Sequence, residues 1–394
     1  MSGLLVYYVT TALAVAAAWL SQPFRTRAPR LRATERATPV ARTRATGTAT
    51  LVAPHSGTTS TLLALRSGLS GSAKFWALVS ASILVAVAAL RWHVGTDYWT
   101  YDGLYANYKS TPWGEYSLFS EPGIRVLARL ASWIHDDSAV MFALASLLTV
   151  GLSVSTIYRR SPMIALSVLL YVITGAWQGS FNGVRQYLAC AIIFAGHRYV
   201  IDRKFTKYML VVILAMLFHV SALAMAFLWF VPLKRLGTLR AAGLMIAAAL
   251  GLTVYSYATS LIGLFKGPIA VEAGSYLVRQ VNPLRVAMAF VPLVLYIFLT
   301  RRDRLDAKAH FYVNIAFINA AVMIAGANSA YLTRFAVYTN IFSILLIPRL
   351  LNMRDRRLAA IAGVAVVSLY CVFWYIDTVN VGSLANFNWI FNRN

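Results

Sequence analysis

A few residues of this 394-residue chain carry most of its chemical capacity, and their placement groups them. Arg91, Arg185, Arg285 and Arg334 each stand at the end of a different apolar run. Arginine suits phosphate because its planar fork binds two oxygens at once. Four such forks on one side of a molecule would make a shared anion site, although each could equally be a helix-end anchor. Three groups able to take a proton stand out: Asp97 and Glu121 in a polar segment between the runs, and His219 inside the run 209–232. A base near bound phosphates suits transfer onto a hydroxyl group.

The elements that must position these residues are apolar. Hydrophobic residues make up 59% of the chain and charged residues 12%, against about 25% charged in soluble domains. The net charge of +23 alone would suggest a nucleic-acid binder, but a basic soluble domain does not have this apolar content. Apolar runs fall at 4–20, 74–90, 138–157, 162–177, 186–201, 209–232, 241–264, 285–300, 309–326, 335–348 and 358–376. Most approach the roughly 20 residues needed to cross 30 Å of hydrocarbon. Cys190 and Cys371 lie inside such runs and have neither disulfide nor metal-type spacing. The expected fold is all-α: a polytopic integral membrane protein.

Residues 1–20 read as an N-terminal transmembrane anchor, because Met1-Ser2-Gly3 lacks the positive charge of a signal peptide. Residues 21–72 hold eight Arg and a single acid, Glu35, and read as a disordered cytoplasmic linker. Residues 73–379 form the polytopic domain, with an outer loop at 91–137, and 380–394 an outer tail. If 209–232 crosses once, the basic residues divide 20 inside and 16 outside, which is scarcely a bias. If it enters and returns near Phe218-His219-Val220-Ser221, they divide 26 and 10, and the acids 5 and 8. The second arrangement obeys the positive-inside rule. The expectation is therefore about ten full transmembrane helices, a re-entrant half-helix hairpin at 209–232 and an outward-facing cavity with His219 at its floor.

The outer segments are polar and aromatic. Tyr98 and Trp99 follow Asp97, and such rings either stack on sugar faces or form an interfacial belt. Glu121-Pro122-Gly123 resembles a helix start. Ile124–Ile134, with Arg125 and Arg129 four apart, reads as an interfacial helix with one basic face. No Walker loop, dinucleotide-binding glycine turn, zinc-protease motif or nucleophile elbow occurs. His93 and His197 have no metal-ligand partner at helical spacing.

At these residues the sequence resembles the EpsG family of bacterial exopolysaccharide proteins, a Wzy-like group of polysaccharide polymerases. Four segments carry the likeness in order: Arg91 with Gly95-Thr96-Asp97-Tyr98 and Tyr101; Glu121-Pro122-Gly123; Asn182-Gly183-Val184-Arg185-Gln186 with Leu188-Ala189; and Leu214-Ala215 with Phe218-His219-Val220-Ser221-Ala222-Leu223. A weaker fifth is Arg334-Phe335-Ala336-Val337-Tyr338. The likeness covers about residues 73–350, and the Arg-rich segment 21–72 departs from it.

The resemblance implies a membrane glycosyltransferase of C-type architecture in the bacterial inner (plasma) membrane, with its site facing the periplasm or exterior. It would transfer a growing glycan from polyprenyl diphosphate to a sugar hydroxyl of another lipid-linked oligosaccharide. Membrane lipid, a flippase and a chain-length regulator would be its partners, and nucleic acid would not. In this reading Asp97 is the first choice for the base, His219 the second and Glu121 the third. Each has a structural alternative: a turn cap, a satisfier of broken backbone and a helix cap. Arg91, Arg185, Arg285 and Arg334 would grip the diphosphate, so no metal or other cofactor is required. Tyr98, Tyr101, Asn182 and Gln186 would contact substrate. A single-sugar transferase using a lipid-phosphate donor would share these groups. A lipid-glycan flippase would show internal repeats and charges deep in several spans; the chain shows no repeat, and its polar groups crowd one face.

Overall fold

A computed structural model describes residues 3–22, 71–117, 120–237, 239–248, 250, 281–299, 305–329, 332–352 and 355–393. Most of the Arg-rich segment 21–72, and the span expected at 241–264 from residue 251 onward, lie outside the described residues.

The apolar runs become helices because a backbone in hydrocarbon must satisfy its own hydrogen bonds. In chain order, α1 (Gly3–Leu20) and α2 (Gly71–Ala89) pack together. Ala14, Ala17 and Ala18 of α1 are buried, and their small side chains let the backbones approach until Ser80 Oγ donates to Ala14 O at 2.9 Å. Two shorter helices fill the outer loop, α3 (Tyr98–Ser110) and α4 (Pro122–Ile134). Then come the long α5 (Ser138–Arg160), α6 (Ile164–Ile173), α7 (Ala176–Asn182) and α8 (Val184–Gly196). α9 (Phe205–Met216) is followed by a 3-10 segment, Val220–Phe230. The remainder comprises α10 (Leu239–Ala248), α11 (Pro283–Leu299), α12 (Ala307–Ala325), α13 (Leu332–Asn340), α14 (Ser343–Leu351) and α15 (Arg356–Val379).

Five of these helices, α1, α2, α5, α12 and α15, are long and apolar enough to cross a membrane. Two bent pairs, α6 with α7 at 41° and α13 with α14 at 44°, raise the number to seven. The sequence expects about ten, and the difference has a physical source. Gly175 adopts φ +78° and breaks one run. α8, with 13 residues, rises only about 20 Å, and Val291–Leu299 less.

The basic face expected on α4 turns inward. Arg129 donates to the carbonyls of Lys109 (3.1 Å) and Thr111, and lies 4.2 Å over the Trp113 ring. Leu130, Trp133 and Ile134 are the exposed residues of that helix.

The two ends of the bundle differ. At one end the C-terminal residues fold over the loop that follows α2. Trp92 N–H donates to Asn388 O and Ile390 N–H to Leu90 O, both at 2.8 Å, and Arg393 pairs with Asp137. At the other end basic residues gather: Arg349 donates to Arg160 O, and Arg203 to the carbonyls of Trp229 (2.9 Å) and Val231 (3.4 Å). Tyr208 of α9 likewise donates to Met225 O at 2.7 Å. α9 and the 3-10 segment therefore fold back on each other. The fold back turns at Leu217–His219, and it turns toward the outer loop.

Candidate active site

Glu121 is where the outer loop meets that turn. It precedes Pro122 and adopts φ +54°, a left-handed backbone that a non-glycine residue rarely holds. Its side chain makes no bond to its own helix. It reaches across instead: Oε1 accepts from His219 Nδ1 at 2.6 Å and from Val220 N–H at 3.1 Å, and Oε2 accepts from Arg185. Gly123 N–H donates to Leu217 O at 2.8 Å. A Cβ at Gly123 would come within 2.8 to 2.9 Å of the Phe218 ring and Leu217 O, so the close approach needs glycine. Burial works to raise the Glu121 pKa. The hydrogen bonds from His219 and Val220 and the nearby Arg185 charge outweigh it and hold the carboxyl below its ordinary range.

This contact defines the histidine. A carboxylate can only accept, so Nδ1 carries a proton, and in the neutral ring the free lone pair is then on Nε2. Among the described residues Nε2 has no hydrogen-bond partner, and His219 lines a cavity. Arg185, in the first turn of α8, is ordered from two sides: Nε donates to the Tyr101 hydroxyl at 3.2 Å, its guanidinium lies 5.4 Å from the Tyr101 ring, and Nη1 reaches Glu121.

The cavity encloses about 380 Å³ at the end of the bundle that carries the outer loop. Asp97, Tyr101, Asn182, Arg185, Gln186, His219, Arg285 and Arg334 all line it. Asn182 Oδ1 accepts from Thr96 N–H at 2.7 Å, and Thr96 Oγ1 donates to Asp97 at 3.1 Å. Gly95 at φ +112° lets this turn press on Phe181, where a Cβ would meet the carbonyl oxygen at 2.5 Å. Asp97 precedes α3 but makes no capping bond. Gln186 Nε2 donates to the Arg334 carbonyl at 2.7 Å, which sets the position of α13 against α8. Arg285 makes a two-pronged pair with Asp377, at 2.8 and 3.0 Å. Arg334 is exposed, and no carboxylate among the described residues pairs with it.

Two expected site residues are elsewhere. Arg91 is 1% exposed, donates to Ala88 O and to Ser146 Oγ (2.9 Å), and is packed between the rings of Phe142 and Phe181. Tyr98 is buried and stacked on Phe142 at 4.2 Å. Both fasten the root of the outer loop to α5, and neither borders the cavity. Glu121 also stands behind the wall, holding two residues that line it. Sequence reasoning missed Asp377, Asn319 and Asn340, which line the cavity. Their signal was polarity inside an apolar run, as in Phe373-Trp374-Tyr375-Ile376-Asp377.

Compared with known proteins, residues 74–390 match the model of the EpsG family. No curated protein and no solved structure matches the chain.

Proposed function

The chain belongs to the EpsG family, and from that premise we propose that it is a polysaccharide polymerase. It transfers a growing glycan from polyprenyl diphosphate to a sugar hydroxyl of another lipid-linked repeat unit, at the outer face of the bacterial plasma membrane. The observation that carries this reading is the Glu121–His219–Arg185 cluster opening on a polar cavity that also holds Arg285 and Arg334.

In this mechanism His219 Nε2 accepts the proton of the acceptor hydroxyl. The acceptor oxygen bonds to the anomeric carbon as the bond from that carbon to the diphosphate oxygen breaks, and the electron pair leaves with the diphosphate. Glu121 fixes the ring and stabilises the imidazolium that forms, as an orienting carboxylate does beside a catalytic histidine. Arg185 and Arg334 meet the charge that grows on the leaving group. Asp97 is better suited to hold acceptor hydroxyls, its geometry set by Thr96 and Asn182.

The membrane arrangement belongs to the same proposal. α9 and Val220–Phe230 form a re-entrant hairpin entered from the basic side, and about ten crossings surround it. Twelve residues in α9 reach about 18 Å, so the turn at His219 lies near the midplane. Broken backbone at that depth must be buried in protein or line a wet cavity, and the cavity above His219 meets that need. Gly237 has open space around it. Labelling of a Gly237→Cys chain by an impermeant reagent from outside would overturn the hairpin.

The test of function is to incubate the purified full chain with lipid-linked repeat units and to resolve products by length. A ladder of longer glycans is expected. A single added sugar would indicate a monosaccharide transferase, and movement of unaltered substrate across the membrane a flippase. Either result overturns the polymerase.

A further inference from the structure

A second cavity, of about 530 Å³, is a groove between α2 and α5, far from the first. Its floor is apolar and built from small residues. Ala77, Ala81 and Gly151 line it, and a Cβ at Gly151 would meet nothing within 4 Å. Leu78 and Val85 form its rim, with Leu78 well exposed. One end of the groove carries Lys74 and Arg159, which both line it.

Register explains why the two cations share an end. Arg91 and Ala88, at the end of α2, bond to Ser146 near the start of α5. The helices therefore run antiparallel, and the start of α2 meets the end of α5. This is the basic end of the bundle, where Arg349 bonds to Arg160. From Lys74 to Val85 the groove runs about 16 Å, close to half of the roughly 30 Å hydrocarbon core. That is the depth of a single leaflet.

We propose that this groove binds an anionic glycerophospholipid of the leaflet on the basic side of the protein, with one acyl chain against Ala81 and Gly151 and its phosphate on Lys74 and Arg159. The inference rests on the membrane reading of the fold and not on the polymerase activity. Charge complementarity selects this occupant. Both cations are exposed, and no carboxylate among the described residues pairs with either. The Arg-rich segment 21–72 has the same sign and offers only Glu35 as a counter-charge. A two-fold pairing of chains through this face would place Lys74 and Arg159 near their own copies, again like on like. Anionic lipid on the cytoplasmic surface is the available counter-charge, and each basic residue near that surface adds measurably to its attraction.

The test uses the full chain in nanodiscs of equimolar phosphatidylglycerol and phosphatidylcholine, with lipid retention read by native mass spectrometry. Wild type should keep phosphatidylglycerol in preference. Lys74→Ala with Arg159→Ala should weaken the tightest phosphatidylglycerol about thirty-fold. Gly151→Leu, which fills the floor, should lower retention of both lipids. Lys74→Arg with Arg159→Lys keeps the charge and should keep the preference. Equal retention of the two lipids by wild type would overturn the proposal. So would a charge-preserving pair as weak as the alanine pair, or a dimer that dissociates on Gly151→Leu.

Discussion

His219 and His197 each stand just beyond the end of a helix, α9 and α8 respectively. Their surroundings differ in one decisive respect. His197 is fully buried, its Nδ1 bonded to the Phe194 carbonyl and its Nε2 to the Tyr312 hydroxyl at 2.8 Å. Rings of Phe194, Phe311 and Phe342 surround it at 5.3 to 6.4 Å. Both ring nitrogens are occupied, so the residue can hold three helices together and can do little else. His219 has one nitrogen bonded to a carboxylate and the other turned loose beside a cavity. A histidine with one nitrogen fixed and one open has the configuration of a general base. The lesson is that the partner count at the ring, and not the residue type or its depth, separates the two.

The strongest attempt to break this contrast is His219→Gln, which keeps polarity and removes the base. Polymer formation per folded protein should fall about a thousandfold. Asp97→Asn is the control, and should lose only on the order of tenfold, mainly through KM. If Asp97→Asn proves the more damaging, the base is Asp97 and the contrast between the histidines loses its catalytic meaning.

Glu121→Gln comes next, with a loss on the order of a hundredfold, because an amide no longer selects the tautomer or stabilises the imidazolium. The same variant has a stability signature with a definite sign. The folded pKa of Glu121 lies below its ordinary value of 4.5. Its contribution is therefore complete above pH 4.5 and is lost as the pH falls through the lower folded value. The Tm difference between wild type and Glu121→Gln should be largest near neutrality and should shrink below pH 4.5. A difference that is constant with pH would mean that the charge of Glu121 does not hold the cluster.

Arg185→Lys should cost on the order of tenfold, since the charge stays while the fork that reaches Glu121 and Tyr101 is lost. Activity equal to wild type would make Arg185 a helix-end anchor.

These residues show what was legible in the sequence. Arg185, Asp97 and Asn182 could be named because each stands in a polar segment beside an apolar run, and His219 because it is a lone titratable group inside one. Arg91 gives the same signal but is buried and does not border the cavity. Its fate is decided by Ser146, 55 residues away, and by two rings that pack around it. Asp377 had no visible signal beyond a lone acid in a span, because its partner Arg285 is 92 residues distant. The bends at Gly175 and beyond Asn340 were likewise hidden, since both halves of each broken run are equally apolar. Glu121 ranks only third as a base in the sequence because a side chain just before Pro122 is expected to serve its own helix. The left-handed backbone turns it away and gives it to His219.

The smallest expected effect on activity sharpens the comparison from the other side. His197→Gln removes an aromatic ring from a packed cluster and at least one of two buried hydrogen bonds. Leaving the Tyr312 hydroxyl or the Phe194 carbonyl unsatisfied costs about 1 to 3 kcal/mol, so the Tm should drop clearly. Turnover per folded molecule should stay within about twofold of wild type, because neither Phe194 nor Tyr312, the two partners of the ring, lines the cavity, and catalytic loss needs a contact that is made in the transition state. The measurement must therefore normalise glycan ladder formation to folded protein at a temperature well below the variant's Tm. A rate loss comparable to that of His219→Gln under those conditions would show that the two histidine sites are coupled, and that partner count at a histidine is not enough to tell a base from a strut.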